Sequence, residues 1–177
     1  MNGLIIFSHG LDSGPHSNKN EYLRPVAERL GWPTVAVDDR DIHDNPPARI
    51  DRLVERIHAC AEPPVLVGSS LGGYVSVSAA ERSRVAGLWL LAPALFMEDR
   101  YEHADPALVA REAYTPMTER ISVIHGWNDD IIPWQNSMKF AEQHQAQLHL
   151  LKAGHRLENV LPVLAALLAD FLLPEGD

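Results

Sequence analysis

Along the chain, two hydrophobic periods alternate. Short apolar runs rich in β-branched residues read as buried strands: Leu4–Phe7, Thr34–Val37, the run from Val65 to Val67, Val85–Leu95, Ile121–His125 and Leu148–Leu151. Between them, apolar residues recur at helical spacing. Ser17–Leu30 carries Tyr22, Leu23, Val26, Ala27 and Leu30, and the helix opened by Pro46-Pro47 carries Ile50, Leu53, Val54 and Ile57. Tyr74–Glu81, Trp134–His144 and a C-terminal stretch from about Asn159 to Leu172 complete the set. Pro25 predicts a kink in the first helix or a late start to it, and Gly31 and Pro33 end it. Pro93 is expected to stop the Val85 strand. The stretch from Phe96 to Glu119 is the least regular. It offers only a short helix, about Pro106–Ala113, and is expected to lie as a flap over the carboxyl edge of the sheet near Ser70.

Strict alternation of strand and helix predicts a single domain over residues 1–177. Its form is a three-layer α/β/α sandwich around a mainly parallel sheet of about six strands. The strand at Leu4–Phe7 is expected inside the sheet, since later strands must pair on both its sides. In such sheets, sites gather at the carboxyl ends of the strands.

Composition narrows the classes of function. A chain of 177 residues with 46% hydrophobic and 22% charged positions can bury a full core. Its net charge of -9 disfavours nucleic acid and anionic membranes as general partners. Cys60 is the only cysteine, so no intramolecular disulfide can form and a reducing, cytoplasmic setting is expected. The first residues lack the basic and long apolar regions of a signal peptide, and no run reads as a membrane span. The charge run Asp38-Asp39-Arg40-Asp41 reads as a solvated loop without metal-ligand spacing, and no metal or cofactor is expected.

The chemistry centres on Gly68-Ser69-Ser70-Leu71-Gly72, a G-x-S-x-G pentapeptide between a strand and a helix. Only Ser70 fits that pattern, because Ser69 would need glycines where Val67 and Leu71 stand. In such an elbow the serine hydroxyl projects above the strand end, and glycines let strand and helix approach. The simpler reading is a serine N-cap on an ordinary βα unit. A serine nucleophile needs a base, and the base needs an orienting acid. Downstream, His155 follows Gly154 in the loop after the last strand. His144 lies within a helix, His149 within a strand, and His125 precedes the acids at a strand end. Asp129 and Asp130 compete as the acid.

Four segments resemble the α/β-hydrolase family: Ser8-His9-Gly10-Leu11-Asp12-Ser13, Gly68-Ser69-Ser70-Leu71-Gly72-Gly73-Tyr74, Trp127-Asn128-Asp129-Asp130 and Ala153-Gly154-His155. More narrowly, the chain resembles the small, lidless, single-domain bacterial esterases. His125-Gly126-Trp127-Asn128-Asp129-Asp130-Ile131-Ile132-Pro133 is similar to that family's acid loop, in a register that selects Asp129. The resemblance implies a reduced hydrolase fold without a cap domain or the first two strands of full-size members. It also implies a nucleophile at Ser70, an acid at Asp129, a base at His155 and oxyanion donors at the backbone N–H groups of Leu11 and Leu71. The expected substrate is then a small-molecule ester or thioester. Amide or peptide cleavage, acyl transfer and a non-catalytic binding scaffold are the alternatives. Phe96, Met97, Tyr101 and Trp127 are candidates for an apolar acyl pocket, although core packing is the first expectation for any one of them.

Overall fold

The computed structural model describes residues 3–100 and 111–173. Six strands, β1 (Ile5–Ser8), β2 (Thr34–Ala36), β3 (Val65–Ser69), β4 (Gly87–Leu91), β5 (Ile121–Gly126) and β6 (Gln147–Leu151), form one sheet in the order β2-β1-β3-β4-β5-β6. Every neighbouring pair is parallel, so β1 is an interior strand between β2 and β3. Helices α1 (Asn18–Arg29), α2 (Pro46–His58), α3 (Leu71–Ala80), α4 (Trp134–His144) and α5 (Leu161–Leu172) cover its two faces.

The two faces follow from the pleat, which sends successive side chains to opposite sides. Ile6, Leu66, Leu88, Leu90 and Val123 join residues of α2, α3 and α4 in one buried cluster. Ile5, Phe7, Val65, Val67, Trp89, Leu91 and Ile124 join residues of α1 and α5 in the other. Strands buried on both faces are therefore mostly apolar, as a parallel sheet requires, with Ser122 and His125 buried polar exceptions at the two ends of β5. All ten residues of α3 are buried, which suits a helix wedged between α2 and the sheet.

Local details refine the expectations. Pro25 does not delay α1: the helix runs unbroken from Asn18, capped by Ser17, whose Oγ accepts from the Asn20 N–H at 3.3 Å. Strand β4 ends at Leu91, two residues before Pro93, because Ala92 turns the backbone to φ 42°.

The expected flap is corrected over residues 111–120, whereas Met97 stays at the carboxyl edge, packed with Ile132 beside Asp129. Residues 101–110, including Tyr101 and most of the expected helix over 106–113, lie outside the described residues, and Arg111 to Ala113 are not helical. Thr115 N–H donates to Glu81 at 2.8 Å and Met117 N–H to the Ala80 carbonyl at 2.8 Å, at the far end of α3. The stretch 111–120 therefore follows the amino edge of the sheet, away from Ser70. Parallel topology demands this path, because the chain leaves β4 at the carboxyl edge and must enter β5 at the amino edge. Tyr114 anchors the descent, with its ring buried edge-on to Tyr74, Phe96 and Phe140.

Candidate active site

Ser70 stands between β3 and α3 with φ 55° and ψ −120°, a conformation that costs a non-glycine residue on the order of 1–3 kcal/mol. It caps α3 by position only, since its side chain accepts no N–H from the helix. The close packing around it explains both glycines. A Cβ at Gly72 would stand 2.1 Å from the Ser8 carbonyl oxygen, and one at Gly68 would stand 2.6 Å from the Gly72 oxygen. No side chain fits either place.

The freed hydroxyl meets His155, with Ser70 Oγ and His155 Nε2 2.9 Å apart. His155 Nδ1 lies 2.8 Å from Asp129 Oδ2. The loops that carry these two residues are laced together, Trp127 N–H to the Leu151 carbonyl at 2.9 Å and Asn128 N–H to the Ala153 carbonyl at 3.0 Å. The other carboxylate oxygen, Asp129 Oδ1, accepts the N–H groups of Ile131 and Ile132, each at 2.9 Å. Burial alone would raise the Asp129 pKa, but these donors outweigh it and hold the carboxyl well below the usual range. An ionised carboxylate only accepts hydrogen bonds, so His155 carries its proton on Nδ1 and keeps Nε2 for the Ser70 hydroxyl. The Asp129 side chain is fully buried, whereas that of His155 is 15% exposed. Asp130 points to solvent.

On the other side of Ser70, the loop after β1 lies against the elbow. A Cβ at Gly10 would be 3.4 Å from the Ser70 Cβ. The Gly10 backbone, one residue before Leu11, thus lies against the serine, and the Leu71 N–H opens α3 where helical N–H groups have no intrahelical acceptor. The loop rests on buried charge. Arg49, from α2, is 0% exposed and donates to the His9 carbonyl and, at 3.1 Å, to Asp39 Oδ2. Asp39, 1% exposed, also pairs with Arg52 at 3.3 Å. The Asp39 N–H donates to His9 Nε2 at 3.1 Å, so His9 is neutral, with its proton on Nδ1 and directed to the Gly10 carbonyl 2.7 Å away. Burial lowers the His9 pKa accordingly. The run Asp38 to Asp41 is thus not wholly solvated. Its second member is a core ion that sequence alone had assigned no role, because its partner lies ten residues away.

The pocket candidates diverge. The Phe96 ring meets Tyr114 at 5.0 Å and packs against the α2–α4 core, with the Lys139 ammonium 4.0 Å over its face. Met97 is buried with Ala94 and Ile132, the latter a neighbour of Asp129. Trp127 is 50% exposed on the acid loop, edge-on to Trp134. Among the other histidines, His144 ends α4, and burial lowers its pKa. His149 lies on β6. His125, at a strand end before the acids, is a site residue that its place in the sequence does not mark. It is fully buried and its Nε2 lies 2.9 Å from Asp129 Oδ2, the same oxygen that His155 faces. The one available signal was its spacing of four residues from Asp129. Among the described residues, no group of three or more His, Cys, Asp or Glu side chains is arranged to hold a metal ion, and no helix is long and apolar enough to cross a membrane.

Comparison with known proteins agrees with this architecture. Residues 4–114 match the uncharacterised protein family UPF0227. No curated protein matches the chain. A Xanthomonas campestris pv. campestris protein assigned to the hydrolases of the alpha/beta superfamily is 30% identical. The match covers 97% of this chain and 98% of that one, with a TM-score of 0.81. Est1E from Butyrivibrio proteoclasticus shares the fold at 15% identity, 96% and 86% coverage and a TM-score of 0.79. A serine hydrolase without a lid from Xanthomonas campestris does so at 21% identity, 98% and 84% coverage and a TM-score of 0.71. With a family model matched over more than half its length and a superfamily member matched end to end, the chain belongs to family UPF0227 and to the alpha/beta hydrolases.

Proposed function

We propose that the protein is a serine hydrolase of small carboxylic esters or thioesters. The observation that carries the reading is the unbroken chain from Ser70 Oγ through His155 to Asp129, in two hydrogen bonds of 2.9 and 2.8 Å. Ser70 Oγ attacks the substrate carbonyl carbon as its proton passes to His155 Nε2. The carbonyl oxygen becomes an oxyanion facing the Leu11 and Leu71 N–H groups, each donor worth about 3–4 kcal/mol in the transition state. The C–O or C–S bond then breaks, His155 protonates the departing alcohol or thiol, and the acyl group remains on Ser70. Water, losing its proton to His155, releases the acid and restores the serine. Asp129 compensates the imidazolium charge in both halves without taking the proton. The relatives assigned to the alpha/beta and serine hydrolases support this chemistry.

The test joins labelling to turnover. A fluorophosphonate probe should modify the protein at Ser70, and p-nitrophenyl esters of graded chain length should be hydrolysed, short acyl groups fastest if the site is shallow. Ser70→Ala should lose both activities, by about 10³-fold or more in turnover. Absence of labelling in a folded protein would leave a binding scaffold instead.

A further inference from the structure

We propose that His125 and Ser137 extend the Ser70–His155–Asp129 chain inward, and that His125 is a positioning residue that holds Asp129 and tempers its pull on His155. The inference rests on the serine-hydrolase reading above.

Asp129 Oδ2 lies between two imidazoles, with His155 Nδ1 at 2.8 Å on the outer side and His125 Nε2 at 2.9 Å on the inner. His125 Nε2 also faces the Ile132 carbonyl oxygen at 3.1 Å. Two acceptors around one nitrogen require a proton there, so Nε2–H donates to both. His125 Nδ1 lies 2.7 Å from Ser137 Oγ, on α4. In the neutral ring that nitrogen accepts, and the serine hydroxyl donates to it. The result is a five-residue run: Ser70, His155, Asp129, His125, Ser137.

The inner half repeats the composition of the outer half but differs in access. His125 and Ser137 are each 0% exposed, and the Asp129 side chain is 0% exposed as well. No substrate can reach Ser137, so the inner pair is no second active site. What it supplies is geometry and charge balance. Asp129 receives four donors, two peptide N–H groups on Oδ1 and two imidazoles on Oδ2. A carboxylate so engaged cannot turn about its Cβ–Cγ bond, and so its outer lone pair stays aimed at His155. Because the inner imidazole shares the charge of Oδ2, the carboxylate stabilises the His155 imidazolium less than an unshared one would.

The surroundings leave few other charges to set that balance. On β6, His125 stands opposite Leu150, the adjacent β4 position is Ala92, and α4 brings the neutral Ser137. His155 faces Ser70 and Asp129, and the next residue on its own loop is the exposed Arg156.

His125→Leu removes the inner donor. The acid limb of the kcat/KM profile for a p-nitrophenyl ester should then move to higher pH by about one unit, because Asp129 would favour the His155 imidazolium more strongly. Turnover should fall about tenfold or more with KM little changed, since the freed carboxylate wanders. His125→Gln, whose amide nitrogen reaches the position of Nε2, should restore both. A folded His125→Leu enzyme with the wild-type profile and turnover overturns the proposal. A second readout needs neither activity nor a foldable variant at position 125. The proton spectrum of the wild-type protein should show two low-field imidazole N–H resonances. One should vanish in His155→Ala, and the other should persist, protected from exchange, between about pH 5 and 9. A single low-field resonance that vanishes in His155→Ala overturns the inner bond. Failure of the serine-hydrolase reading instead shows as full turnover by Ser70→Ala, whatever the spectrum.

Discussion

Two buried aspartates at the carboxyl edge, Asp39 after β2 and Asp129 after β5, each touch a buried histidine, yet they are held in opposite ways. Behind the β1 loop, Asp39 faces the guanidinium groups of Arg49 and Arg52. At the β5 loop, Asp129 faces two imidazoles and two peptide N–H groups, all of them neutral donors. The charge of Asp39 is spent on fixed cations, so the pair can hold the His9 carbonyl and with it the backbone that bears Leu11, but it has nothing left for a base. The charge of Asp129 is solvated without being neutralised, and it remains free to balance an imidazolium that appears and disappears during turnover. Arginine makes a buried carboxylate structural, whereas neutral donors keep it available.

The sharpest way to break the contrast is Asp129→Asn. It should cost about 10⁴ in turnover, because the amide, which can donate to Nδ1, mis-sets the tautomer of His155, while stability changes much less. Asp130→Asn, at the exposed neighbour, should change turnover less than about threefold. Kinetics of the two purified variants check this, and a sensitive Asp130 would move the acid by one residue.

On the other side, Arg49→Leu should act first on stability. It leaves Asp39 buried with only Arg52, and urea unfolding should show a loss of about 3 kcal/mol. Turnover should fall along with it as the Leu11 N–H loses its support. Arg49→Leu with undiminished stability would show that Arg52 and solvent suffice for Asp39.

His9 adds a pH signature to the same loop. Its pKa in the folded protein is held below 6.5, chiefly by burial, so the unfolded chain binds the proton more readily. Stability should therefore be greatest above pH 6.5 and decline as the pH falls through 6.5 toward the folded value. His144, also lowered by burial, adds to the same slope. Subtracting the His9→Gln curve from the wild-type curve isolates the His9 share, and no difference in slope between pH 7 and 5 would remove it.

The smallest effect separates the helix that carries Arg49 from the ion pair itself. Asn45 caps α2 by accepting the Ala48 N–H at 3.1 Å. Asn45→Ala should cost about 1 kcal/mol and leave turnover unchanged. A loss of turnover matching that of Arg49→Leu would mean that the helix, and not the guanidinium, holds the loop.

The sequence by itself determined the layers, the parallel direction of the short apolar strands and the elbow at Ser70, because each is written in a local period or a tight turn. Leu4–Phe7 had to be an interior strand, and Gly68 and Gly72 had to flank a crowded turn. It also nominated Asp129 and His155, through loops whose composition and order resemble a known family. Only the tertiary structure decided what lies behind those residues. Arg49 reads in sequence as one basic position on an amphipathic helix, and Asp39 as one of several loop acids. Their burial together depends on α2 packing beneath the end of β1. His125 and Ser137 are twelve residues apart, and they meet because β5 and α4 pack face to face. The path of residues 111–120 likewise follows from the need to return to the amino edge before β5 begins. Local periodicity records which face of an element is apolar. Which polar side chains are enclosed, and with which partners, is settled by how the elements pack, since a polar residue stays buried only where packing supplies its hydrogen bonds.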